Sequence, residues 1–197
     1  MRQRWQFRPE ALVGFLEAAY RLDLDDRAWL SGVMEASRQV LGRGSWVHGA
    51  IYDASDVTAF RVIHMLVVDG PAEATALLAR GVELFTPAFV TRSFRVNQAS
   101  LSRKLAEPEL AEVYAGLEAI GYPDGLGING SDPSGLGVFV GLWCADLTSL
   151  PVAEMNTYRR MAHHLAMAHR GRRRLGVKSR SDVLAHPAVR PLVPPVA

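Results

Sequence analysis

Residues 45–68 read SWVHGAIYDASDVTAFRVIHMLVV, and the period of this stretch decides the fold. From Ser45 to Asp53, Trp46, His48, Ala50 and Tyr52 alternate with Val47, Gly49 and Ile51. That two-residue period places the two sets on opposite faces of a strand. Asp53-Ala54-Ser55-Asp56 has turn chemistry, and residues 57–68 form a second β-rich run, with Phe60, Val62, His64 and Leu66 expected on one side. Two such runs joined by a short polar turn predict an antiparallel hairpin.

On the N-terminal side the period becomes helical. Leu12, Phe15, Leu16, Ala19 and Tyr20 mark one helix after Pro9. A second helix over 27–41 carries Trp29, Leu30, Val33, Met34, Ser37 and Leu41 on one face, and Gly42 and Gly44 stop it. On the C-terminal side Pro71 and Pro87 open helices, residues 97–107 are polar without a clear period, and 108–120 is helical again. Residues 126–129 and 136–144 read as strands around the turn Gly130-Ser-Asp-Pro-Ser-Gly135. A long helix follows Pro151. The order α-α-β-β-α-α-α-β-β-α predicts an α+β fold, a single antiparallel sheet covered by helices with a long C-terminal helix. The expected organisation is a sensory-sized body over 1–150, a connecting or dimerising helix over 151–176 and a flexible proline-rich tail over 177–197.

Charge is unevenly placed. Eight of the 22 Lys and Arg lie in residues 158–180, where no Asp or Glu occurs, which leaves 14 against all 20 acidic residues elsewhere. The net charge of +2 thus combines an acidic body with a basic C-terminal rod. Three readings of the rod stand side by side. Its apolar stripe, Met155, Tyr158, Ala162 and Leu165, docks on the body or on a second copy of the chain. Its arginines complement the negative helix end, or they touch phosphates without sequence preference. A chain of 197 residues with 49% hydrophobic content buries a sizeable core, and one cysteine leaves no internal disulfide. No run is long and apolar enough for a membrane span, and the expected location is the cytoplasm.

Motif chemistry is sparse. Gly125-Leu-Gly127-Ile-Asn-Gly130 has the letters of a dinucleotide fingerprint, but a helix precedes it and a turn follows it, the reverse of what the pyrophosphate needs. His163, His164 and His169 lack the i, i+4 spacing of helical zinc ligands, so no metal is expected. Cys144 ends an apolar strand with no hydrolase signature around it, and no catalytic residue is assigned. Trp46, Tyr52, Phe60, Phe85, Phe89, Tyr114 and Trp143 come from elements that cover one sheet face. They either fill the core or line a small-molecule cavity.

Phe15-Leu-Glu-Ala-Ala-Tyr-Arg-Leu22, Trp29-Leu30 and Gly44 with the strand ending Tyr52-Asp53 resemble the N-terminal region of LuxR-type transcription regulators common in myxobacteria. Residues 121–135 and the helix around Ala162-His-His-Leu165 with Arg170 to Leu175 are similar to segments of the same family. The resemblance covers roughly residues 12–175. It implies a GAF-like sensory domain whose last helix feeds a helix-turn-helix, which this sequence is expected to lack, so sequence-specific DNA binding is carried over to no residue. A small-molecule or partner-binding regulatory domain is therefore expected, with Tyr52, Phe60, His64, Phe89, Tyr114 and Trp143 around the ligand and no cofactor. A homodimer is expected through Met155, Tyr158, Ala162 and Leu165. The alternative is a dimerising interaction module without a ligand, and an enzyme using Cys144 or His64 ranks third.

Overall fold

A computed structural model describes residues 9–41, 46–102, 108–145 and 149–176. The glycine stop after the second helix, Lys178, Arg180 and the proline-rich tail lie outside the described residues. The elements run α1 (Pro9–Ala19), α2 (Asp26–Leu41), β1 (Trp46–Asp53), β2 (Arg61–Val68), α3 (Ala74–Glu83), α4 (Pro87–Phe94) and β3 (Gln98–Leu101). After a 3₁₀ turn at Pro108–Leu110 come α5 (Ala111–Ala119), β4 (Asp124–Ser131), β5 (Leu136–Cys144) and α6 (Val152–Arg174). Local chemistry sets several of these bounds. Asp25 Oδ1 accepts from the Ala28 amide at 2.9 Å and caps α2. The Thr86 side chain accepts from the Phe89 amide at 3.2 Å, with Pro87 in the first turn of α4.

The five strands form one sheet in the order β2-β1-β5-β4-β3, every neighbouring pair antiparallel. Both predicted hairpins are present, and the sheet is covered on both sides. α1, α2 and α6 pack over Val47, Ile51, Leu126, Ile128, Val138, Val140 and Leu142. α3, α4 and α5 stand over the opposite face, where Trp46, Tyr52, Phe139 and Trp143 project. The expected α+β, GAF-like architecture is the one observed.

Two local expectations need correction. Residues 98–101 are the edge strand β3 and not an irregular segment. β2 is also interrupted: Ile51 pairs with His64 while Tyr52 pairs with Val62, so Ile63 is an extra residue in a β-bulge. The bulge reverses the alternation. Val62 faces α3–α5, whereas His64 turns to the other face, with Nε2 4.0 Å from Asp26 Oδ2.

α6 resolves the question of the basic rod. Tyr158, Ala162 and Leu165 are at most 1% exposed and belong to the core beneath α1 and α2, with Met155 packed against them. These four residues, expected to pair two copies, are instead used within the chain. Burying Met161 and Leu165 contributes roughly 1.5–3 kcal/mol each to docking. Gly130 permits the close approach, since a Cβ built there would lie 2.6 Å from the Ala166 nitrogen and 2.7 Å from the Ala162 oxygen. Two arginines also point inward. Arg172, 1% exposed, donates to Asp26 Oδ1 at 2.9 Å and to the Arg21 carbonyl at 3.1 Å, with its guanidinium 4.7 Å from the Trp29 ring centre. Arg173 pairs with Asp132 in the β4–β5 turn.

Candidate ligand cavity

The sheet face under α3–α5 is built by size alternation. On β5 the residues pointing that way are Gly137, Phe139, Gly141 and Trp143, and on β4 they are Gly125, Gly127 and Asn129. Large side chains of neighbouring strands lie over these glycines. His48 pairs with Gly141, where a Cβ would fall 2.0 Å from the imidazole Cε1. The Phe139 ring approaches a Cβ at Gly127 to 3.0 Å, and Tyr52 lies over Gly137. The glycines of the failed dinucleotide motif thus make room for rings at Gly127 and for the α6 backbone at Gly130.

Between these rings and α3–α5 lies a cavity of about 120 Å³. Phe85, Phe89 and Phe94 form a contiguous aromatic wall, with ring centres 4.7 Å apart for Phe85–Phe89 and 5.2 Å for Phe85–Phe94. Phe60 joins that wall 4.8 Å from Phe94, and Phe139, Trp143, Tyr114, Val113 and Leu117 close the remainder. Among the described residues the lining contains no Asp, Glu, Lys or Arg.

Its polar members are mostly engaged. Asn129 Nδ2 donates to the Val96 carbonyl at 2.7 Å, and Gln98 Nε2 donates to the Ser93 carbonyl at 3.1 Å. Trp143 Nε1 donates to His48 Nδ1 at 3.0 Å, which leaves the His48 ring proton on Nε2. Burial holds His48 neutral, its pKa lowered to about 4, with a backbone contact at Gly141 acting weakly the other way. Burial also pushes the Tyr114 hydroxyl up to about 12, and the charge of Asp124 adds to that shift. The Oγ of Ser93, another lining residue, is fully buried and has no hydrogen-bond partner among the described residues.

No protein-family model and no curated protein sequence matches the chain. Its fold is similar to several solved structures. The N-acylhomoserine lactone dependent LuxR family transcription factor CepR2 from Burkholderia cenocepacia superposes with TM-score 0.54 at 17% identity, over 82% of this chain and 91% of that one. Escherichia coli SdiA gives TM-score 0.54 at 12% identity over 82% and 68% of the two chains. SdiA in complex with octanoyl-rac-glycerol gives 0.51 at 12% over 85% and 69%. The chromophore-binding domain of bacteriophytochrome RpBphP3 from R. palustris gives 0.51 at 11% over 89% and 65%. At these identities the likeness establishes the fold.

Within this GAF-like fold, the expected site residues separate into three groups. Phe60, Phe89, Tyr114 and Trp143 line the cavity together. Tyr52 sits one layer away: its hydroxyl is 2.8 Å from the Phe94 carbonyl and 2.9 Å from Asn129 Oδ1, so one proton serves two acceptors and the ring supports Phe60 and Phe94. His64 is on the other side of the sheet because of the bulge. Sequence reasoning singled out neither Ser93 nor Phe94 nor Phe139, and it placed His48 on a strand face without assigning it to the site. The alternation of β1, which puts His48 on the same face as Tyr52, was the available signal for His48. The helical histidines diverge: His163 is exposed, His164 contacts the Tyr20 hydroxyl at 3.1 Å and His169 stacks on Trp29. Cys144 is buried in the core of the opposite face. Among the described residues no group of three potential metal ligands occurs.

Proposed function

We propose that this chain is a LuxR-type sensory domain that binds a small molecule in the cavity between the sheet and α3–α5. The observation that carries this reading is the aromatic cavity itself, floored by paired glycines and, among the described residues, lined by no charged side chain. The fold supports the reading, since CepR2 is described as N-acylhomoserine lactone dependent and SdiA was solved with octanoyl-rac-glycerol. α6 is the element placed to report a change, because it packs on β3, β4 and β5 from the face opposite the cavity.

A thermal-shift screen of uncharged small molecules on the chain provides the test. At least one compound should raise Tm in proportion to the logarithm of its concentration. The same compound should give no shift with Trp143→Ala, provided that circular dichroism shows the variant folded. An undiminished shift in the folded variant would place binding outside this cavity.

A further inference from the structure

Resting on the assignment of the cavity as a ligand site, we infer that Tyr52, which does not line the cavity, is a positioning residue for its ligand: the Tyr52 hydroxyl latches the wall formed by residues 92–98 to the sheet. Ser93, Phe94 and Gln98 of this stretch line the cavity. The carbonyls that close a helix have no partner within it, and those at the end of α4 find theirs in side chains. The Tyr52 hydroxyl donates to the Phe94 carbonyl at 2.8 Å. Asn129 Nδ2 donates to the Val96 carbonyl at 2.7 Å, and Gln98 Nε2 to the Ser93 and Arg92 carbonyls at 3.1 and 3.3 Å. Arg95 Nη1 donates to the Ala54 and Ser55 carbonyls at 3.0 and 3.2 Å, and Asn97 Oδ1 accepts from the Ser131 amide at 2.7 Å. Every residue from 92 to 98 thus takes part in a bond in which at least one partner is a side chain.

The tie from Tyr52 can open without stranding its donor. The hydroxyl has one proton, and Asn129 Oδ1 stands 2.9 Å away as a second acceptor, with the Ser131 side chain also in contact. Burial pushes the Tyr52 pKa up, so the proton stays on the oxygen. When the wall moves out, the hydroxyl keeps Asn129 and the Phe94 carbonyl alone is released, at the cost of one hydrogen bond. The wall therefore has a latched and a released position. A ligand packed against Phe94 favours the latched one, and its apparent affinity falls with the fraction of chains in which the wall is latched. The Tyr52 and Phe94 rings also meet edge to face, 5.0 Å between centres, and that packing does not depend on the hydroxyl.

The test uses the whole chain with benzene as the probe, since an engineered apolar cavity of roughly 150 Å³ takes benzene and this one measures about 120 Å³. Tyr52→Phe and Asn97→Ala each remove one tie and no cavity-lining atom. In both variants hydrogen exchange at amides 92–98 is expected to rise about tenfold while α2 keeps its wild-type rates. Benzene affinity, measured by calorimetric titration, should fall about two- to tenfold in both. Unchanged exchange at 92–98 would overturn the latch. Exchange raised equally in α2 would overturn it as well, because the hydroxyl would then support the fold as a whole. Faster exchange at 92–98 with wild-type benzene affinity would overturn the positioning role and leave the cavity reading standing. If the wild-type chain takes no benzene, a compound found by the thermal-shift screen replaces it. A blank screen overturns the cavity reading and the affinity role together, and the exchange rates still decide whether the wall is latched. Should Tyr52→Phe fail to fold, Asn97→Ala carries the same two measurements.

Discussion

Gly141 and His48 face each other across β1 and β5, and the imidazole lies where any β-carbon at 141 would stand. The contact is with a rigid ring tied to Trp143 Nε1, so the ring has little freedom to yield. Gly141→Ala should therefore cost about 1–3 kcal/mol by overpacking. It should also turn His48 away from Trp143, which a shift in Trp143 fluorescence would record alongside the urea midpoint. A variant with wild-type stability and fluorescence would show that His48 is not held over this glycine. This is also where the sequence was hardest to read. Gly125-Leu-Gly127-Ile-Asn-Gly130 has the letters of a dinucleotide fingerprint, and only strand pairing reveals that Gly125 and Gly127 lie flat beneath aromatic rings. His64 failed for a related reason: a one-residue bulge reverses every side chain beyond it and leaves no compositional trace.

At the scale of elements, α6 was half legible. Its apolar stripe announced a buried face, but amphipathicity does not say what covers that face. The sheet does, and the outer face is left with Val152 and Met167 exposed at 75% and 65%. Any pairing of two chains through α6 must use that outer face. β3 was missed because four residues, paired on one side only, offer two alternations and no distinctive composition. The long strands and helices, by contrast, repeat their period often enough to be read. The arginines carried the wrong emphasis, since their number suggested a partner outside the chain while Arg172 is one of its most buried large side chains. Arg172→Ala removes a cation from above Trp29 and a donor from Asp26, whose side chain keeps some water contact at 18% exposure. The loss should be about 2–3 kcal/mol, below that of a fully buried pair, and Arg170→Ala on the exposed side should stay within about 0.5 kcal/mol. Equal urea midpoints for the two variants would refute the inward docking of the helix end.

Two neutral histidines lie on opposite faces of the sheet, and together they set how the whole molecule responds to acid. His48 is under α3–α5, and His169 is packed on Trp29 beneath α6. Burial lowers both to about 4; at His169 the nearby Arg173 adds to the effect while Asp26 and Asp132 oppose it. For a base whose folded pKa lies below its unfolded value of 6.5, the unfolded chain binds more protons between those two values. Stability therefore rises with pH across this window and falls as pH drops from 6.5 towards 4. The loss at pH 5 is about 2 kcal/mol per histidine. Carboxylates act later: Asp53, held at about 2 chiefly by the Ser55 hydroxyl and amide and then by Arg61, keeps its stabilising effect until the pH falls below its unfolded value of 3.8. Unfolding free energy measured in urea should consequently decline between pH 6.5 and 4.5, before any carboxylate with a lowered pKa contributes. His169→Gln should remove about half of that slope while leaving the cavity untouched. His48→Gln should remove the other half and also alter ligand binding, because only His48 lines the cavity. A wild-type curve flat from pH 7 to 4.5 would mean that neither imidazole is buried in its neutral form.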